Sequence, residues 1–237
     1  MKYLFLLVGL VTTTGSLGQG ISGSELLAKA IEYHDPNDHW QSFKSEFTVT
    51  MESPKGDKRI SQINIDRPAS SFKLTTNKAG KTTEQMVMGD RCLLKVDGTA
   101  ITSEQDMASY DISCERAKKM RDYYTYLYGL PMKLRDPGTL IDPNVETKTI
   151  RDKEYLTLKV TYTEDVGRDT WYFYFDPNSY AMEAYQFFHD ESKNDGEYIV
   201  LTGEEIINNI KMPKNRAWYY NKNDQYLGTD ILSKSSR

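Results

Sequence analysis

The feature that most constrains this chain is a succession of short segments in which apolar and polar side chains alternate. In "FKSEFTVTME" Phe43, Phe47, Val49 and Met51 share one parity, while Lys44, Glu46, Thr48, Thr50 and Glu52 take the other. That is the signature of a β-strand with one wet face. "RISQINID", "SFKLTT", "TTEQMVMGD" and "CLLKVDG" follow at once, separated by the turn-rich "SPKGD", "RPAS", "NKAG" and "GD". Strands joined so tightly build an antiparallel meander.

The second half repeats the pattern in "EYLTLKVTYTE", "TWYFYF", "AMEAYQFF", "EYIVLTGEE", "IKMPKNRAWYYN" and "QYLGTDILS". Together the halves predict about ten or eleven strands, and a sheet that large with one apolar face must curl or wrap around a cover. Two helices are available for that cover. "SGSELLAKAIEYH" offers Ser24 as N-cap with Leu26, Leu27, Ala30 and Ile31 on one face, and Ser113 caps a helix bearing Ala117, Met120, Tyr124, Leu127 and Tyr128. Gly129 and Pro131 should end the second helix. The expected class is α+β.

One strand breaks the alternation: Trp171, Tyr172, Phe173, Tyr174 and Phe175 run without interruption. In a curved, covered sheet Trp171, Phe173 and Phe175 can fill the inner face, while Tyr172 and Tyr174 keep their hydroxyls toward water on the outer one. Asp176, Pro177 and Asn178 then reverse the chain, and Tyr185 and Phe187 return alongside.

The N-terminal "MKYLFLLVGLVTTTGSLG" has one charge at Lys2, an apolar run from Tyr3 to Val11 and small residues at Ser16 and Gly18. This is the layout of a secretory signal peptide over residues 1-18, leaving residues 19-237 as one domain without a transmembrane segment. No cysteine stands there to carry a lipid anchor. Losing Lys2 takes the formal charge from -4 to -5, and so acidic a chain has no basic face for nucleic acid. Cys92 and Cys114 are the only cysteines. In an exported chain such a pair reads as a disulfide, closing a loop of about twenty residues worth roughly 3 kcal/mol, with a free buried pair as the alternative.

Catalytic patterns are missing from the sequence: it has no G-x-S-x-G elbow, no H-E-x-x-H helix and no phosphate-cradling glycine loop. Neither a metal nor a cofactor is implied. His34 and His39 sit in the polar "YHDPNDHWQ", where surface or capping roles are expected. "HDESKNDGE" approaches a calcium loop, but its glycine falls one place late and Leu201 stands where the terminal glutamate belongs. A solvated hairpin loop with positive φ at Asp195 and Gly196 is the better reading.

The helix "SGSELLAKAIEYH", the hairpin "TWYFYFDPNSYAMEAYQFF" and the late strand "NNIKMPKNRAWYY" resemble the LolA/LolB-type superfamily of periplasmic lipoprotein carriers. "YYTYLYGLPMKLRDPGT" and "DTWYFYFDP" are similar to runs in an uncharacterised group of secreted proteins of unknown function in or near that superfamily. The resemblance implies a half-barrel with helices covering its concave face, a periplasmic or extracellular address, and a lipid or other hydrophobic small molecule as ligand, with a lipoprotein or envelope protein as partner. The cavity candidates are then Tyr124, Leu127, Tyr128, Trp171, Phe173, Phe175, Tyr185 and Phe187, each also suited to plain core. A competing reading makes the molecule an envelope interaction protein with a filled core, its binding patch formed by Tyr172 and Tyr174. An unrecognised hydrolase is a third, and no nucleophile in the sequence has a local base to support it.

Overall fold

The computed structural model describes residues 20–78 and 80–235. The expected signal peptide at 1–18 lies outside the described residues. The chain opens with helix α1 (Gly23–His34) and then lays down β1 (Lys44–Glu52), β2 (Lys58–Asp66), β3 (Ser71–Lys78), β4 (Lys81–Met88), β5 (Arg91–Val96) and the short β6 (Thr99–Ala100). Helices α2 (Glu104–Ser109) and α3 (Cys114–Gly129) follow. The second meander is β7 (Thr139–Ile150), β8 (Lys153–Tyr162), β9 (Thr170–Phe175), β10 (Met182–Phe188), β11 (Glu197–Ile207), β12 (Ile210–Tyr220) and β13 (Tyr226–Lys234).

All thirteen strands described form one antiparallel sheet in the order β6-β5-β4-β3-β2-β1-β13-β12-β11-β10-β9-β8-β7. The first and last strands therefore meet in its middle, with Val49 opposite Leu232. Each half of the chain walks between that seam and one edge, and α3 carries the chain from one edge toward the other. The edges β6 and β7 do not pair with each other, so the sheet is an open half-barrel.

The sequence pattern anticipates eleven of these strands and misses β6 and β7. β6 is only two residues long. β7 contains Pro143 and slips register between Ile141 and Val145, irregularities that an edge strand tolerates because one side of its ladder is unpaired.

The helices cover the inner face. α1 buries Leu26, Leu27, Ala30 and Ile31 against the β7, β8 and β12 side, and α3 packs on β3, β4 and β5. Their apolar residues join Phe47, Ile63, Phe72, Leu158, Phe173 and Ile199 of the sheet in one continuous core. Gly23 is required for this fit: a Cβ there would stand 2.0 Å from the backbone oxygen of Asp142.

Several local expectations change. The N-cap of α1 is Ser22, not Ser24, because Ser22 and Glu25 form a reciprocal capping box. The α3 cap is Ser113 as expected, accepting from Arg116 N–H at 3.0 Å. In the β10–β11 loop the positive φ angles fall on Asn194 and Gly196. Asp195 instead turns its carboxylate to accept the backbone N–H groups of His189 and Asp190, both at 2.9 Å. His34 is no surface residue. It is buried, with its Nδ1 donating to Lys211 O at 2.6 Å and its Nε2 accepting from Met182 N–H at 2.9 Å, so a neutral imidazole bolts α1 to β10 and β12.

Cys92 on β5 and Cys114 at the start of α3 form a disulfide with a Cα separation of 5.7 Å. A bridge closing a loop of 22 residues constrains the unfolded chain by roughly 3 kcal/mol. Replacing both cysteines by serine should cost about that much in denaturant unfolding; a loss below about 1 kcal/mol would show that α3 holds its place without the bridge.

Burial pushes the His34 pKa below its usual 6.5. The folded state thus favours the neutral ring while the unfolded chain takes up the proton more readily. The contribution of His34 is complete above pH 6.5 and is lost as pH falls from there through the depressed folded value. Melting temperature should drop across this range in the wild type and drop less in His34→Gln; parallel pH profiles would contradict the assignment.

Candidate functional site

Parity on each strand decides which side chains can reach the space between sheet and α3. On β9 Trp171, Phe173 and Phe175 face inward, and the register sets Phe173 opposite Leu158 on β8 and Tyr185 on β10. Phe187 pairs with Trp171, Ile199 with Tyr185 and Trp218 with Ile199. The result is an aromatic floor: Trp171 stacks on Phe187 with centroids 4.9 Å apart and on Phe173 at 5.9 Å, and Tyr126 of α3 meets Trp171 edge-on at 5.4 Å.

Two clefts flank α3. The larger, about 590 Å³, lies toward β9–β13 and is walled by Tyr123, Tyr126, Leu127, Trp171, Phe187 and Trp218. The other, about 480 Å³, lies toward β2–β4 and is bordered by Met120, Tyr123 and Tyr124 of α3 with Ser61, Leu74 and Gln85 of the sheet. Tyr123 and Arg59 line both clefts. A third space of about 550 Å³ continues from the larger one past Tyr126 and Trp171 to Tyr162 and Val166. Tyr123 is 38 % exposed and Val166 53 %, so apolar and aromatic groups reach the rim.

The sequence candidates divide between these spaces and the core. Leu127, Trp171 and Phe187 line the larger cleft, and Tyr124 lines the smaller. Tyr128, Phe173, Phe175 and Tyr185 are sealed within the core. Sequence reasoning missed Tyr123, Tyr126 and Trp218. The first two lie on a helix face adjacent to the one read as apolar. Trp218 was hidden in the aromatic run "AWYY", where parity alone separates the inward ring from Tyr219.

Charged groups on inward parity were the other overlooked signal. Arg59 shares the face of Ser61 and Ile63 on β2, and Asp230 shares that of Leu232 on β13. Asp230 is 7 % exposed; its Oδ2 accepts from Trp218 Nε1 at 3.1 Å, while Oδ1 has no hydrogen-bond partner among the described residues. Burial raises its pKa against the pull of Arg216 and Arg59. Glu197 is likewise raised by burial. At the rim, His189 is raised by Asp169, whose carboxylate lies 2.7 Å from the ring.

α3 is fastened above these clefts. Its N-terminus carries the disulfide. Near its C-terminus, buried Arg216 donates to Leu127 O at 3.3 Å and to Pro213 O at 2.9 Å, its guanidinium 4.0 Å over the Tyr128 ring. A cation on last-turn carbonyls also complements the helix dipole.

The outer tyrosine patch does not form. Tyr172 and Tyr174 are buried, packed with Tyr155 and Ala184 beneath Ile150 from the tip of the β7–β8 hairpin. Their hydroxyls donate to Glu191 and Gln186, each at 2.6 Å, and Lys148 Nζ lies 3.7 Å over the Tyr172 ring. Curling of the hairpin over the outer face gives this strand a second, smaller core.

Compared by sequence with curated proteins, the chain finds no match. Among solved structures it is similar to a LolA superfamily protein from Nitrosomonas europaea, with 12 % identity and a TM-score of 0.54 over 91 % of this chain and 93 % of that one. It is also similar to a DUF1329 family protein from Desulfovibrio piger, at 10 % identity and a TM-score of 0.48 over 90 % and 92 % of the two chains. The first likeness establishes a LolA-type fold. A family model described as "Family of unknown function (DUF6503)" matches residues 2–234, nearly the whole chain, and the protein belongs to that family.

Proposed function

We propose that the protein is an exported, non-enzymatic carrier that holds a lipid or another hydrophobic molecule in the cleft beside α3. The observation that carries this reading is the cleft of about 590 Å³ walled by two tryptophans, a phenylalanine, two tyrosines and Leu127, with Arg59, Asp169, His189, Glu197 and Asp230 completing its lining. Its size and lining fall within the ordinary range of small-molecule sites. An acyl chain laid on such a floor gains about 0.8 kcal/mol per buried CH₂. Export is supported by the N-terminal leader pattern and by a disulfide, which persists in oxidising compartments. The LolA-type fold is compatible with transport of a lipid or lipoprotein, and the ligand is the part that fold analogy does not supply.

Mass spectrometry of organic extracts from the purified mature protein should recover a lipid in stoichiometric amount; a protein that is repeatedly empty and fails to take up a fluorescent fatty acid would overturn the reading. Two variants separate cleft from core. Trp171→Ala should weaken fatty-acid binding about tenfold, the loss of one or two kcal/mol of aromatic contact, with the fold intact. Phe173→Leu should lower stability by roughly 1 kcal/mol and leave affinity nearly unchanged. Equal effects of the two on binding would place the ligand elsewhere.

A further inference from the structure

The outer face of a curved sheet should shed concavities, yet this one holds a cleft of about 600 Å³. It exists because the β7–β8 hairpin folds back. Lys148 and Arg151 of that hairpin form one wall, Tyr174, Gln186 and Tyr198 on β9, β10 and β11 form the floor, and Asn221 and Asp224 after β12 complete the lining.

The hairpin tip is built in an unusual way. Arg151 and Asp152 occupy its two central positions with φ of 47° and 65°, the left-handed backbone that such turns normally assign to Asn-Gly. A left-handed backbone is costly for an ordinary side chain, and residues held there concentrate at functional positions. Here the conformation sends the Arg151 guanidinium across the face to lie 3.9 Å over the Tyr219 ring, which stacks in turn on Tyr198 at 5.1 Å. Its hydrogen bond to the Tyr198 hydroxyl is long, at 3.4 Å, and among the described residues no carboxylate pairs with it. Most of the five guanidinium N–H donors are left for another acceptor.

The floor is fixed in advance. Tyr174 donates to Gln186 Oε1 at 2.6 Å, Gln186 Nε2 donates to Asn221 Oδ1 at 3.0 Å, and Asn221 Nδ2 donates to Phe187 O at 2.9 Å. A relay that uses up its own amides resists collapse into the cleft. Because Arg151 reaches across to Tyr219, its guanidinium and the Asp224 carboxylate both approach the Tyr198 hydroxyl, while Lys148 stays at the hairpin. Lys148 spends part of its charge on Glu146 at 3.1 Å, which leaves Arg151 as the dominant cation.

We propose that this outer cleft is a second binding site, separate from the inner one, for a small hydroxyl-bearing anion such as a sugar acid or sugar phosphate. Its carboxylate or phosphate lies against Arg151, where a planar guanidinium offers paired N–H donors. Its hydroxyls point toward Asp224, whose carboxylate accepts.

Calorimetric titration of the full mature chain with glucuronate, glucose 6-phosphate and neutral glucose tests the assignment. Saturable binding of either acid, with glucose at least about tenfold weaker, is expected, and whichever acid binds more tightly identifies the anion. Arg151→Gln should weaken the bound acid about tenfold, the fold-change for one charge-assisted hydrogen bond, while Arg151→Lys retains part of the affinity. Circular dichroism checks that each variant is folded; should Arg151→Gln not fold, Lys148→Gln on the same wall is expected to weaken the acid as well. Absence of binding by both acids, equal binding of glucose, or unchanged affinity in the folded Arg151 or Lys148 variant would overturn the proposal. Fatty-acid uptake by the inner cleft is scored independently and does not bear on this outcome.

Discussion

An open sheet of thirteen strands with an apolar inner face cannot leave that face to water, and the rest of the molecule is arranged around its cover. α1 closes the side near β7 and β8, and the chain spends its one long crossover on α3. That helix is held at both ends, covalently by Cys92 and Cys114 and through Arg216 reaching Leu127 O. A strap fixed in this way does not swing out as a lid. The consequence is that usable space lies beside α3 rather than beneath it, and access depends on the rim groups Tyr123 and Val166 rather than on displacement of the helix.

The seam between α3 and the middle of the sheet is also the least apolar part of the interior. Arg216, Tyr128, Tyr185 and Asp230 bring polar groups into it, with the Arg216 guanidinium 4.0 Å over the Tyr128 ring and Asp230 Oδ2 accepting from Trp218 Nε1 at 3.1 Å. Natural folds depart from local rules chiefly at functional places. The same seam opens into the larger cleft at Asp230, so the buried polar groups and the candidate site occupy one region. The sealed aromatic block around Phe173, Phe175 and Tyr185 supplies the compensating burial on the neighbouring strands.

Eleven of the thirteen strands described, their order within each meander and the covering role of both helices were legible because period-two alternation with tight turns leaves few alternatives. The disulfide was legible from cysteine count and the expected compartment. What the pattern could not show was long-range geometry. β7 escaped notice because Pro143 and a bulge erase its alternation, and with β7 unseen the curl of its hairpin over Tyr172 and Tyr174 was unseen as well. His34 looked like a turn residue because its partners, Met182 and Lys211, are more than a hundred residues away. At the site, ring identity was readable but depth was not: Trp171 and Phe173 share a face and stack, yet one lines a cleft and the other is sealed.

β9 joins the two halves of this picture. Its Trp and Phe side chains face the core and the inner cleft, while Tyr172 and Tyr174 support the smaller core beneath the hairpin. A strand buried on both faces needs no alternation of polarity, only of hydrogen-bonding capacity. That is what "WYFYF" supplies: three rings without hydroxyls or with an indole on the inside, and two with hydroxyls outside, where Glu191 and Gln186 receive them. Because Tyr174 also floors the outer cleft, the inner and outer spaces are separated by the thickness of a single strand.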